Sequence, residues 1–212
     1  MTDTAVDISG YVHRDGELNN AHKDLVPSLL NILASLSLAP EVRRVFELGC
    51  GNGAVAAVLA ELGYQTTGVE VSTQGLEQAR RRHPHLLLQP GSAYDRLSET
   101  HGQFPVVVSL EVVEHLYAPR VFAKTLYDLV EPSGTAIVST PYHGYWKNVA
   151  LALSGKMDQH FTALWDHGHI KFWSMRTLRT LLVEAGFTEI TFKRVGRIPV
   201  LAKSMIAIAK KP

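Results

Sequence analysis

The stretch Val45-Phe46-Glu47-Leu48-Gly49-Cys50-Gly51-Asn52-Gly53 limits this chain more than any other. An apolar pair opening on a β-branched residue leads into an acid, then into three glycines at alternate positions, and then into the helix-forming run from Ala54 to Ala60. That order reads as strand, tight turn, helix. Glycine reaches backbone angles closed to other residues and lets a ligand lie against bare main chain, so the turn is expected to cradle a cofactor at the carboxyl end of a strand. Glu70 ends the next apolar run, near the spacing of about 20 residues at which a carboxylate accepts both hydroxyls of a ribose. The expected ligand is a nucleoside.

Two kinds of nucleoside compete. Gly49-x-Gly51-x-x-Ala54 also satisfies the dinucleotide fingerprint in its Gly/Ala form, so the glycines alone leave a dinucleotide-dependent enzyme open. Glu47 argues the other way, because a carboxylate there repels a pyrophosphate but holds a cationic amine, directly or through water. The methionine end of S-adenosylmethionine carries such an ammonium. The string Glu-Leu-Gly-Cys-Gly-Asn-Gly also resembles the first motif of class I S-adenosylmethionine-dependent methyltransferases, and the resemblance extends over most of the chain.

At 212 residues the chain is long enough for one sizeable core and short for two, which makes a single domain over 1–212 the expectation. With 21 Lys+Arg against 20 Asp+Glu, no basic field announces nucleic acid or an anionic membrane. The cluster Arg80-Arg81-Arg82-His83 reads as the solvated end of a helix. A lone cysteine forms no intramolecular disulfide and fits a reducing compartment. The polar N-terminus lacks the apolar core of a secretory signal, and no apolar run approaches the roughly 18 residues of a membrane span. A cytoplasmic protein is expected, its oligomeric state left open.

The remaining pattern divides the chain into four stretches. Residues 1–40 hold a polar arm and a helix from about Ala21 to Leu36, with Val26, Leu29, Leu30 and Leu33 on one face. Residues 41–140 form the cofactor-binding core. Here Gln65 to Glu70 is a strand, Ser72 caps a helix that Pro84 stops, and Leu86-Leu87-Leu88 is a short buried strand. Pro105 to Leu110 is the strongest strand, its apolar continuity placing it centrally in a parallel sheet. Pro119 then opens an amphipathic helix, and Thr135 to Thr140 is the fifth strand. Strands alternating with helices predict a doubly wound, Rossmann-like α/β sheet. Residues 141–173 crowd aromatic and histidine side chains after that fifth strand, at the sheet edge where open α/β folds bind ligands, which favours a substrate pocket over plain core. Residues 174–212 begin with a helix capped by Ser174 and stopped at Gly186, followed by strands over Phe187–Val195 and Pro199–Ala209.

The resemblance adds expectations. In class I methyltransferases the last two strands form an antiparallel hairpin that completes a seven-stranded, mostly parallel sheet. The cofactor side then falls to Glu47, Gly49, Gly51, Gly53, Glu70 and its neighbour Val71, with Ser92 and Ala93 near the adenine and Leu110 and Glu111 flanking the methionine end. The family often places an acid where Ser92 stands, so Ser92 or Asp95 is left to accept from the adenine amino group. Tyr11 and Gly16-Glu17-Leu18-Asn19-Asn20-Ala21-His22 resemble the segment preceding the core in ubiquinone-biosynthesis O-methyltransferases. That resemblance makes the arm a candidate lid, with Tyr11 and His22 as its contacts; plain disorder is the alternative.

Glu111, Glu114 and His115 stand at i, i+3 and i+4 where a helix is expected to begin, a spacing that puts three side chains on one face. Two carboxylates and an imidazole suit a divalent cation, Mg or Mn; the alternative is His115 as a lone general base. Glu-x-x-Glu-His also resembles ubiquinone-type and small-RNA 2′-O-methyltransferases, in which these positions ligate a metal. The latter family adds a histidine just before Lys-Phe, offered here by His169 ahead of Lys171-Phe172, with His167 as competitor. The sequence thus points to O-methylation of a hydroxyl on a small or medium metabolite. The balanced charge argues against RNA. A non-catalytic nucleoside-binding or scaffold protein on the same fold is the rival from another class.

Overall fold

The computed structural model describes Leu18 and residues 20–212; the expected contact Tyr11 lies outside the described residues. Helix α1 (Asn20–Ser35) leads to β1 (Arg44–Leu48), α2 (Ala54–Glu61), β2 (Gln65–Glu70), α3 (Thr73–Arg82), β3 (Leu87–Pro90), α4 (Leu97–His101) and β4 (Phe104–Leu110). Then come α5 (Pro119–Leu129), β5 (Val130–Pro141), α6 (Tyr145–Leu153), α7 (Met157–Phe161), α8 (Met175–Glu184), β6 (Thr188–Val195) and β7 (Ser204–Lys210). Seven strands lie in the order β3-β2-β1-β4-β5-β7-β6. The first five are parallel, and β7 runs antiparallel between β5 and β6. This is the doubly wound, mostly parallel sheet with a C-terminal antiparallel hairpin that the sequence implies. The strand order reverses between β1 and β4, which opens a crevice outside their carboxyl ends.

Alternation along the strands explains both layers. Val45, Val106, Val108, Ile137 and Ile206 meet α1 and α2 on one face. Phe46, Leu48, Val107, Val138 and Ala207 meet α5 and α8 on the other. Strand β4 is buried along its whole length, as its unbroken apolar run requires of a strand covered on both faces. Each such valine stabilises the fold by roughly 1.5–3 kcal/mol relative to exposure. The caps read from the sequence are present: Ser72 Oγ accepts the Gly75 N–H at 3.2 Å, and Ser174 and Thr177 form a reciprocal capping box on α8. Among the described residues, no helix is long and apolar enough to cross a membrane.

Three expectations fail locally. Leu86–Leu88 is not a buried strand: β3 runs Leu87–Pro90 at the sheet edge, with Leu87 54% exposed, Leu88 buried and Leu86, half-buried against the same core cluster, outside the strand. The last strand begins at Ser204, because Pro199–Leu201 winds into a 3-10 turn. Most consequential, Glu111 does not open a helix. It adopts a left-handed φ of 56°, and Val113–His115 form a single 3-10 turn, so Glu111, Glu114 and His115 share no helical face.

Candidate active site

The glycine turn is fastened to β2. Gly49 and Cys50 N–H both donate to the Val69 carbonyl at 2.9 Å. Gly49 has φ +86°, and a Cβ there would stand 2.5 Å from Val112 Cγ2, so the turn needs glycine for its angle and for its closeness to the end of β4. Ser109 Oγ donates to Leu48 O at 2.8 Å, joining the same two strand ends. Gly53 caps α2 with φ +74°.

Glu70 serves the turn as well as any ligand. Its Oε2 accepts the Gly51 N–H at 2.8 Å and its Oε1 the Ser72 N–H at 2.9 Å. A carboxylate has about four acceptor directions, so two remain for ribose hydroxyls. Glu47 is different. It is 2% exposed, and its buried Oε2 has no hydrogen-bond partner. Burial, reinforced by the Glu70 charge, pushes its pKa up to about 8. A carboxylate in this state gains most from a cation, which is the chemistry of an ammonium beside a glycine turn.

The other expected cofactor residues lie on several elements. Leu110 ends β4, and Val71 follows β2 with 44% exposure. Ser92 and Ala93 lie in the loop after β3, where Asp95 Oδ2 accepts the Ser92 N–H at 2.7 Å and so already spends one oxygen within the loop. His22 sits half-buried near the start of α1.

Glu111 folds back into the sheet. Its N–H donates to Ser139 Oγ at 3.0 Å, the same hydroxyl donates to its Oε1 at 2.9 Å, and Ser204 Oγ reaches Oε2 at 3.5 Å. The group that converges instead is Glu114, His115 and His169, whose ligand atoms all lie within 4.8 Å of one another. Glu114 is 1% exposed, and both its carboxylate oxygens are buried without hydrogen-bond partners. Burial, and then the charge of Glu111, raise its pKa well above the carboxylate range. His169 Nε2 stands 4.0 Å from Glu114 Oε1.

A strap over residues 167–173 delivers His169. Ile170 and Lys171 N–H donate to Glu114 O at 2.9 and 3.0 Å, and His143 N–H donates to Trp173 O at 2.9 Å. His115 Nδ1 lies 3.1 Å from His167 O and 3.2 Å from Gly168 O. Carbonyls only accept, so Nδ1 carries the proton and Nε2 the lone pair, the arrangement common in metal-ligating histidines. His167 therefore enters through its carbonyl while its side chain is exposed. Burial, followed by the neighbouring imidazoles of His115, His143 and His160, lowers the His169 pKa to about 4.

The aromatic segment splits in two. Tyr145 and Trp146 are 74% and 65% exposed, whereas the rings of His143, Phe161 and Phe172 pack together, Phe172 being part of the strap and 45% exposed. Lys147, unremarked in the sequence, is 6% exposed and donates from Nζ to Tyr142 O at 2.7 Å and Lys203 O at 3.3 Å. Thr140, whose hydroxyl is buried and unpartnered, was equally hidden among strand formers.

Known proteins resemble this chain in sequence and in fold. Curated relatives include the ubiquinone biosynthesis O-methyltransferase of Psychrobacter arcticus, 29% identical over 156 residues that cover 69% of this chain and 60% of that protein. The same-named protein of Caulobacter vibrioides is 31% identical over 115 residues, 52% of this chain and 45% of that one. The chain thus spans about 60% or less of the length of these two relatives. Among solved structures, the methyltransferase domain of bacterial CtHen1-CN aligns with a TM-score of 0.66 at 23% identity, over 90% of this chain and 100% of that one. Magnesium protoporphyrin IX methyltransferase from Synechocystis PCC 6803, with SAH bound, aligns with a TM-score of 0.69 at 18% identity, over 98% and 96% of the two chains. Such identities speak for the fold. A family model described as a methyltransferase domain matches residues 18–191, which take in the glycine turn, the Glu114 cluster and the strap, and the chain belongs to that methyltransferase-domain family.

Proposed function

We propose that this protein transfers a methyl group from S-adenosylmethionine to a hydroxyl of a small or medium metabolite. The observation that carries the reading is the juxtaposition, across adjacent strand ends, of a buried unpartnered Glu47 oxygen beneath a glycine turn and an unpartnered Glu114 carboxylate between two imidazoles.

The residues fit the cofactor. Glu47 supplies the negative charge for its ammonium, Glu70 the acceptors for its ribose, and Gly49, Gly51 and Gly53 the bare main chain between them. Ser92, Ala93, Val71, Leu110 and Glu111 complete the proposed contacts. When bound, the cofactor supplies a methyl on a cationic sulfur. The protein aligns the acceptor oxygen with that methyl and deals with the oxygen's proton.

Glu114, His115 and His169 also fit a divalent cation. The unpartnered carboxylate and the carbonyl-anchored His115 are the supporting observations, and two imidazoles with one carboxylate suit Mn²⁺ better than Mg²⁺, which favours oxygen. Its chemistry there would be that of a Lewis acid lowering the hydroxyl's pKa. The metal-free alternative makes His115 or His169 the base. A pKa of about 4 leaves His169 neutral at pH 7 but a weak proton acceptor, which favours the cation. An acceptor other than nucleic acid belongs to the same reading, supported by a net charge of +1, and so does a cytoplasmic location, supported by the lone cysteine.

Calorimetry tests the cofactor assignment. S-adenosylmethionine and its demethylated product should bind one to one, and nicotinamide dinucleotides should not. Tight dinucleotide binding with none of the sulfonium overturns the proposal.

A further inference from the structure

We infer that Lys147 is a positioning residue of the proposed acceptor half: its ammonium orients the peptide between Tyr142 and His143, and through that peptide the strap that carries His169 to Glu114. The use made of the strap rests on the methyltransferase reading, but the linkage itself does not.

Lys147 lies in the first turn of α6 and is 6% exposed. Taking an ammonium out of water costs free energy unless it is well hydrogen-bonded, and a methionine there would fill much of the same space without that cost. The bonds of the ammonium are therefore what the position gains. The acid that faces it, Glu111, is held by the Ser139 and Ser204 hydroxyls, and Nζ donates instead to two carbonyls, Tyr142 O at 2.7 Å and Lys203 O at 3.3 Å.

The bond to Lys203 O adds little. That oxygen already accepts the Tyr142 N–H at 2.9 Å, and the ladder pairs Pro141 with Ser204 beside it, so β5 and β7 are joined here without Lys147. The bond to Tyr142 O acts differently. The Tyr142 carbonyl and the His143 N–H belong to one planar peptide, so fixing the oxygen aims the hydrogen. A charged donor on the oxygen also polarises the peptide and strengthens the N–H at its other end. That N–H goes to the carbonyl of Trp173, the last residue of the strap, at 2.9 Å, and the Trp173 indole Nε1 donates to Val113 O at 3.4 Å. Ile170 and Lys171 N–H take the next carbonyl, that of Glu114, and His169 Nε2 stands 4.0 Å from Glu114 Oε1. The strap is thus gripped at two places, by the backbone of Glu114 and by a peptide that Lys147 holds in orientation.

The test compares Lys147→Met with Lys147→Gln, side chains of similar length of which only the second can donate to Tyr142 O. Amide exchange is followed in the whole chain without ligands at His143, Ile170 and Lys171, with Val107 and Val108 of the buried strand β4 as internal reference. In Lys147→Met the three amides should exchange about tenfold faster or more, as expected for one lost charge-assisted hydrogen bond, while the β4 amides and the urea midpoint hold. Lys147→Gln should recover part of that protection. Mn²⁺ titrated alone gives a second reading, its dissociation constant rising about tenfold in Lys147→Met and less in Lys147→Gln, because His169 is no longer held at Glu114. Unchanged exchange in Lys147→Met, or equal losses in the two variants, overturns the inference. So does loss of protection in β4 together with the strap in both variants, which would make Lys147 a support of the whole fold. Failure of the unsubstituted protein to bind Mn²⁺ counts against the cation reading instead, and the exchange of the three amides then decides the role of Lys147.

Discussion

The proposed cofactor half and the proposed acceptor half sit at the same sheet edge but are built in opposite ways. The turn over residues 49–53 is held by the adjacent strand: Val69 O takes two of its N–H groups and Glu70 takes that of Gly51. Its conspicuous unmet demand is the Glu47 oxygen. The acceptor half is assembled from residues over 50 positions apart, as in His115 to His167 and Trp173 to Val113, and it buries unpartnered atoms on Glu114, Thr140, His143, Asn148 and His160. The first half is shaped by the chain itself. The second keeps several buried polar atoms without partners, and the proposal of substrate and cation chemistry there rests on them.

If the halves are separable, Glu114→Ala should show it most strongly. We expect kcat to fall by roughly a thousandfold, within the range for loss of a proton-handling group, while the cofactor dissociation constant changes less than twofold. A parallel loss of cofactor affinity would break the division. The reciprocal change is Gly49→Ala. A Cβ at φ +86° and 2.5 Å from Val112 Cγ2 should displace the turn, weakening the cofactor by about two powers of ten and destabilising the protein by roughly 1–2 kcal/mol. Calorimetry and denaturant titration read the two effects. Glu70→Ala should weaken cofactor binding by roughly ten- to a hundredfold, because charge-assisted hydrogen bonds of about 1.5–3 kcal/mol are lost. Part of that loss comes through the turn, since Gly51 and Ser72 lose their acceptor, so Glu70→Gln should retain more affinity than the alanine.

What the sequence revealed follows the same division. Strand, turn, helix and the acid at Glu70 are consecutive and local, so periodicity and glycine spacing suffice. Glu111, Glu114 and His115 also look local, and there the reading misleads: helical spacing predicts one face, but the left-handed Glu111 sends its own carboxylate to Ser139 and swings Glu114 toward the strap. Nothing in the string around His169 announces that Ile170 and Lys171 bind the carbonyl of Glu114, because that register is set by tertiary packing. Leu87 misleads for a related reason. An apolar triplet reads as buried, yet an edge strand has a neighbour on one side only.

A smaller effect concerns pH. Glu47 and Glu111 have folded pKa values raised to about 8 and about 7 from 4.5, so the stability they contribute is fully present below pH 4.5 and is lost as pH rises to those values. His143 and His169 are lowered to about 4 from 6.5, so theirs is present above pH 6.5 and lost as pH falls toward 4. The slopes oppose each other below pH 6.5, and above it the acids act alone until pH 8, where Lys147, itself lowered to about 8, begins to titrate. The ligand-free protein should therefore lose stability between pH 6.5 and 8, Glu47 accounting for on the order of 1–2 kcal/mol. Urea midpoints across that window check it, and Glu47→Gln should flatten the slope.

Methyl transfer itself is the most direct measurement. Incubating the protein with S-adenosylmethionine labelled in its methyl group and a metabolite extract, followed by mass spectrometry, should reveal a labelled methyl ether, with its formation abolished by Glu114→Ala and by chelator and restored by Mn²⁺. Cofactor binding without any labelled product across extracts, or a product formed equally well by the Glu114→Ala protein, would contradict it.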